Sequence, residues 1–135
     1  MQLTKPTIYL LAAFMLAMVQ PANAALTIEI TQGVDGALPI AVVPFDTSRV
    51  SGKFPVDLAE IIGSDLNRSG VLKAMARGEL PASPHYSKDV QYSRWRNVGQ
   101  DYLVVGRVLE SSAGVYTIEF QLLDVLKQKQ LVGRS

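Results

Sequence analysis

The chain has 135 residues, 48% of them hydrophobic, a formal net charge of +1 and no cysteine. This length favours one small domain beside any targeting segment, and the missing cysteine excludes a disulfide framework. The nearly balanced charge provides no general positive field, which argues against nucleic acid as a partner.

The first 24 residues have the pattern of a secretory signal peptide. Lys5 precedes an apolar run over residues 8–19, and small residues follow up to Ala24. The run is shorter than the roughly 20 residues that cross a bilayer as a helix, and its small-residue exit is typical of cleavage. We therefore predict a signal peptide over 1–24, cleavage after Ala24, and a periplasmic or secreted domain over 25–135. An uncleaved anchor is the alternative.

Two strands are predicted next. The first alternates between apolar Leu26, Ile28, Ile30 and polar Thr27, Glu29, Thr31, the period of a half-buried strand. The second, Ile40–Val43, lies between Pro39 and Pro44 and does not alternate, which indicates burial on both faces. The polar segment 46–53 is predicted to be a loop.

A helix is predicted from Pro55, which fits the first helical position, to Gly70, which can end it in the left-handed conformation. Acidic residues near its start interact favourably with the positive end of the helix dipole. Its apolar face is formed by Leu58, Ile61, Ile62 and Leu66. We expect Val71 to fold back on the last turn and, with Leu72, to begin a short strand.

A second helix is predicted over Val90–Val98, after a proline- and serine-containing surface connection at 78–88. Both of its terminal valines and Trp95 are expected to face inward, and Gly99 ends it.

Three strands close the chain. The β-branched run Tyr102–Leu109 predicts a central strand, and Val115–Asp124 alternates, with Tyr116, Ile118, Phe120 and Leu122 expected to pack. The short connection 111–114 makes these two strands a hairpin. A last strand begins near Gln130, and we expect the sequence to be a fragment. The predicted fold class is α/β (α+β-like), a mixed sheet of about five strands with two main helices packed on it.

No constellation of residues predicts catalysis, a metal or a cofactor. His85 is the only histidine and is interpreted as a surface-loop residue. The carboxylates Asp57, Glu60 and Asp65 fit solvation and dipole compensation, and Ser48, Ser64 and Ser69 lack a nucleophile elbow. Arg94-Trp95-Arg96 is either a stacking platform or, as we favour, a buried indole between two exposed arginines. These observations favour a binding or structural function over catalysis.

Five stretches, taken in order, carry a family resemblance: Gly33-Val34, Pro39–Phe45, Ile62–Gly70, Trp95–Val108 and Tyr116–Val125. Each alone fits many α/β proteins, but their order and spacing cover nearly the whole predicted mature chain. Together they resemble the N-terminal domains of the TolB family, the periplasmic component of the Tol-Pal system. The resemblance implies a non-catalytic domain without a cofactor, shaped like the anticodon-binding domains of some aminoacyl-tRNA synthetases but without their RNA function.

The resemblance also implies partners. In the family a six-bladed β-propeller, absent from this sequence together with the helix that closes the first domain, docks the peptidoglycan-associated lipoprotein. The mature N-terminus resembles the segment that engages the inner-membrane protein TolA and responds to lipoprotein docking. The matching positions are Ala25, Leu26, Thr27, Ile28, Glu29 and Ile30. An extended segment of this kind can pair with a partner or be withdrawn, which suits a switch.

The function that follows is a periplasmic interaction module that supports outer-membrane integrity, outer-membrane invagination at division and protein import. A different class stays open: a small-ligand-binding domain or enzyme that uses the Ser83–Lys88 loop around His85 together with Arg94. A lipoprotein-like assembly subunit is disfavoured, because no cysteine exists for lipidation.

Overall fold

The computed structural model describes residues 36–134, and within them a mixed sheet is flanked by two helices. The predicted mixed α/β architecture is confirmed, while the predicted strand over 26–30 lies outside the described residues. Two short 3-10 turns, Arg77–Glu79 and Ser87–Asp89, lie in the connection before the second helix. The main elements are β1 Leu38–Val42, β2 Asp46–Arg49, α1 Leu58–Arg68, β3 Leu72–Ala74, α2 Tyr92–Asn97, β4 Tyr102–Ser112, β5 Val115–Asp124 and β6 Lys129–Arg134.

The sheet has the strand order β3-β1-β4-β5-β6, and β2 pairs with the far half of β4. Strands β3, β1, β2 and β4 are joined in parallel, with Ile40 opposite Tyr102 where β1 meets β4. The pairs β4–β5 and β5–β6 are antiparallel. The predicted hairpin is confirmed, and Ala113-Gly114 forms its turn. The longest strand, β4, therefore organises the whole sheet.

Each face of the sheet is covered by one helix. Alternate residues of β1 and β4 point to opposite faces, so the near-continuous apolar runs supply two cores. On one face Ile40, Val42 and Val104 pack with Ala59 of α1. On the other face α2 contributes Trp95 to a larger cluster that also contains Ala41, Val43, Val90, Leu103, Val105, Leu123 and Val125. Burial of β1 on both faces, predicted from its lack of alternation, is thereby confirmed.

Helix α1 begins three residues later than predicted. Asp57 is its N-cap, and the Asp57 carboxylate accepts a hydrogen bond from the Glu60 amide at 3.1 Å, so Pro55 lies before the helix. Ile62 and Leu66 pack on the sheet as expected, but Ile61 is exposed, because the buried stripe is centred on Ala59. Gly70 has the predicted positive φ of 70°. Val71 is 63% exposed, so at most a small part of its side chain packs on the last turn.

Replacing Asp57 by alanine should destabilise the fold by about 1 kcal/mol at neutral pH, because the Glu60 amide loses its acceptor. Burial acts to raise the pKa of Asp57, but hydrogen bonds from the Glu60 amide and the Arg77 guanidinium outweigh it and hold the pKa below its usual value. A depressed pKa means that this stabilisation is present above about pH 4 and is lost as the pH falls through the folded-state pKa. Urea unfolding at pH 7 and pH 3 measures the difference. Asp57→Asn, which keeps the acceptor, is the matched control.

Two further boundaries differ from the prediction. The segment 46–53, predicted to be a loop, begins with β2, in which Asp46 and Arg49 pair with β4. The reason is the length of β4: its far half extends past β1 and offers free backbone groups, to which the chain returns after Pro44. Helix α2 is shorter than predicted, and Val98, expected to face inward, is exposed beyond its end.

Strand β5 has the predicted bounds but not all of the predicted burial. Leu122 packs on the α1 core, whereas Tyr116 and Ile118 on the same side are exposed. The ring of Phe54 meets that of Tyr116 edge to face, with 5.1 Å between ring centroids. The alternation was therefore a correct sign of a strand, but helix α1 covers only the neighbouring part of that face.

Candidate functional site

The predicted partner-binding residues, Ala25 to Ile30, and the predicted cleavage site at Ala24 and Ala25 lie outside the described residues. The other candidates can be placed. Trp95 is fully buried between exposed Arg94 and Arg96, so the indole is not available as a stacking platform. Glu60 and Asp65 do not join Asp57 in a cluster, because Asp65 pairs with Arg68 and Asp57 pairs with Arg77. Within residues 36–134 no three metal-ligating side chains come together.

His85 belongs to a cavity that the sequence did not predict. The cavity has a volume of about 260 Å³ and lies between the connection before α2 and the surface of β4, β5 and β6. The imidazole Nδ1 is buried and has no hydrogen-bond partner within the described residues. We name this space the Arg107 cavity; its lining is His85, Tyr86, Gly106, Arg107, Glu119, Phe120, Gln121, Gln130, Gly133 and Arg134.

Arg107 is held in place from two sides. Its Nε–H donates to the carboxylate of Glu119, the residue directly opposite on β5. The Tyr86 ring lies against the guanidinium, with 4.4 Å between Arg107 Cζ and the ring centroid. A guanidinium stacked on an aromatic face and paired at Nε has little freedom left to reorient.

A chain of amide hydrogen bonds fixes the walls of the cavity. The backbone N–H of Ser87 donates to Gln121 Oε1 at 2.8 Å, and Gln121 Nε2 donates to Gln130 Oε1 at 2.7 Å. The Gln130 side chain lies over Gly133, where a Cβ atom would collide with it. The loop, β5 and β6 are thereby connected across the cavity.

The structure joins the His85 loop to Arg107 rather than to Arg94. Arg94, which the sequence-based hypothesis set beside this loop, is not part of the cavity lining. A sequence signal for the true partner exists. Arg107 interrupts the apolar strand of a predicted hairpin, and a register shift between Glu110 and Ser112 sets Glu119, one residue before the position counted from the turn, opposite it. The position of the loop on the sheet carries no comparable local signal.

Comparison with known proteins identifies the fold and the family. The profile described as the TolB amino-terminal domain matches residues 26–131. The chain belongs to this family. It is 42% identical over 114 residues to the Tol-Pal system protein TolB of Thioalkalivibrio sulfidiphilus, a match that covers 84% of this chain and 26% of the relative. The chain thus spans about a quarter of the length of this curated relative.

Solved structures agree with this assignment. The crystal structure of TolB from Acinetobacter baumannii superposes with a TM-score of 0.59 and 33% identity, over 74% of this chain and 23% of that one. The LpoB C-terminal domain from Salmonella enterica superposes with a TM-score of 0.55 over 76% and 82% of the two chains, but at 18% identity, which shows the fold alone. Among residues 36–134 no helix has the length and apolarity to span a membrane.

Proposed function

We propose that the chain is a non-catalytic, periplasmic interaction module of the Tol-Pal system. The observation that carries this proposal is the family match over residues 26–131, which includes nearly all of the described fold. Relatives that cover most of the chain carry the name Tol-Pal system protein TolB. Through that system the module contributes to outer-membrane integrity, invagination during division and protein import.

Export is part of the proposal. The family match begins at residue 26, directly after the predicted cleavage at Ala24 and Ala25. In this proposal residues 1–24 act as a signal peptide, and cleavage exposes a new N-terminus at Ala25; the start of the family match at residue 26 supports it. Mass spectrometry of the protein recovered from the periplasm should give a first residue at Ala25. Recovery of a chain that keeps Met1 would contradict export by cleavage.

The partner-binding element is the segment from Ala25 to Ile30. Its alternating apolar residues suit pairing with a partner strand, in which main-chain hydrogen bonds supply affinity and alternate side chains supply specificity. We propose TolA as the partner of this segment. The peptidoglycan-associated lipoprotein engages mainly the region that the longer relatives possess beyond this domain.

Deletion of residues 25–30 from the full-length protein should abolish TolA binding without unfolding the domain. The two described cores are built from residues 40–125, and we expect them to hold the domain together after the deletion. Binding can be measured by isothermal titration calorimetry and folding by far-UV circular dichroism. Undiminished binding of the deleted protein would contradict the proposed role of the segment.

A matched pair of variants separates the side chains from the backbone. Serine at Leu26, Ile28 and Ile30 removes the apolar side of the segment, while serine at Thr27, Glu29 and Thr31 changes the polar side alone. We expect the first variant to lose binding and the second to retain it within about threefold, since only the apolar side chains enter partner pockets. Equal losses would contradict this assignment of sides.

A further inference from the structure

We propose that the Arg107 cavity is a binding site for a small carboxylate, and that this activity is additional to the partner binding proposed above. The ligand class is an α-carboxylate, carried by a free amino acid or by the end of a peptide. The site is built from β4, β5, β6 and the His85 loop, all within the described residues.

The first argument is that the terminal amino groups of Arg107 are free although its guanidinium is held in place. Arg107 donates its Nε–H to Glu119, and its two terminal amino groups make no other hydrogen bond within residues 36–134. The side chain is only 20% exposed, so these donors are partly withdrawn from bulk water. Two parallel N–H groups match the two oxygens of a carboxylate, and an arginine already held by Tyr86 loses little entropy on binding.

The second argument is the charge around that edge. Arg134 adds a second cation to the lining, and Glu119 is already occupied by Arg107. Asp46, opposite Arg107 on β2, accepts the Ser48 amide at 2.9 Å and is not part of the lining. The charges within the cavity therefore favour a single anion.

The third argument is the buried imidazole nitrogen. His85 Nδ1 has no partner within the described residues, and leaving a buried polar atom unpaired is unfavourable. Protonated at this nitrogen, the imidazole can donate to a second acceptor on the ligand. The volume of about 260 Å³ restricts that ligand to a small molecule or a single peptide-end residue, near the lower limit of ordinary ligand sites.

Titration of the full chain with N-acetylalanine, followed by two-dimensional NMR, tests the site. We expect saturable shifts of the Arg107 Nε–H and of the His85 ring signals, and none with N-acetylalaninamide, which has the same shape without the charge. Arg107→Lys should weaken binding at least tenfold, because it keeps the charge but loses the planar fork. Arg94→Lys, on exposed α2 surface, is the matched control and should bind as the native chain does.

Three results of these titrations would overturn the proposal of a carboxylate site. Equal shifts with the amide, a response unchanged by Arg107→Lys, or binding of inorganic phosphate without binding of N-acetylalanine would overturn the proposal. If the lysine variant does not fold, Arg134→Gln serves instead and should weaken binding about threefold. Tighter binding of alanine than of N-acetylalanine identifies a free amino acid as the ligand, and the reverse order identifies a peptide end. Deleting residues 25–30 should leave these shifts unchanged, so failure of either proposal is recognised independently.

Discussion

Replacement of Trp95 by alanine should lower the free energy of unfolding by about 3–5 kcal/mol, the largest loss that we expect from a single side chain. Trp95 is 0% exposed and is the largest fully buried side chain of the domain. It is the main contribution of α2 to the core that also contains Val105 and Leu123. Because small domains are stable by about 5–15 kcal/mol, this loss should leave a large fraction of molecules unfolded at moderate urea concentrations.

Two variants isolate the cause of that loss. Arg94→Ala changes the neighbouring, exposed residue on the same helix and should alter stability by less than about 0.5 kcal/mol. Trp95→Phe keeps most of the apolar volume and removes an indole N–H that has no partner within the described residues, so it should cost less than half as much as alanine. Urea titration followed by far-UV circular dichroism measures all three. An alanine variant as stable as the native chain would contradict the packing role of α2.

The structure explains which parts of the fold can be predicted from the sequence. The bounds of β5 were predicted correctly, because alternation and a glycine-bearing turn are local signals. β2 was missed, because its only reason to be extended is the free far half of β4, about 60 residues further along the chain. The exposure of Tyr116 had the same origin: alternation defines a side of a strand, but nothing local says what covers that side.

The candidate site was less predictable than the fold. The Arg107–Glu119 pair is only partly predictable: counting from the Ala113-Gly114 turn sets Arg107 opposite Phe120, and a register shift between Glu110 and Ser112 brings Glu119 there. The approach of His85 depends instead on the Ser87–Gln121 hydrogen bond, which links positions 34 residues apart, and no periodic pattern reports such a contact. The resemblance to a family implied the fold and the proposed partner segment, and it gave no indication of the cavity.

Replacement of Gly106 by alanine should cost about 1–3 kcal/mol, although alanine is a small residue. Gly106 lies in the interior of β4, where a glycine usually marks a close approach. A Cβ atom there would lie 2.6 Å from Phe45 Cε2 and 2.6 Å from the carbonyl oxygen of Glu119. The ring can rotate away, but the carbonyl belongs to the β5 ladder, so relief requires the two central strands to separate.

A double-mutant cycle separates the energetic cost of the collision with the Phe45 ring from that of the collision with the Glu119 carbonyl. Phe45→Leu shortens the side chain above Gly106 and should recover only part of the loss in the Gly106→Ala background, with a coupling of at least about 0.5 kcal/mol. Gly78→Ala is the matched control, because a Cβ at that glycine meets nothing within 4 Å, and its stability should stay within about 0.5 kcal/mol of the native value. Complete recovery by Phe45→Leu would assign the whole cost to the ring. A Gly106→Ala chain as stable as the Gly78→Ala chain would show that β4 and β5 are not held at the close spacing on which the Arg107 cavity depends.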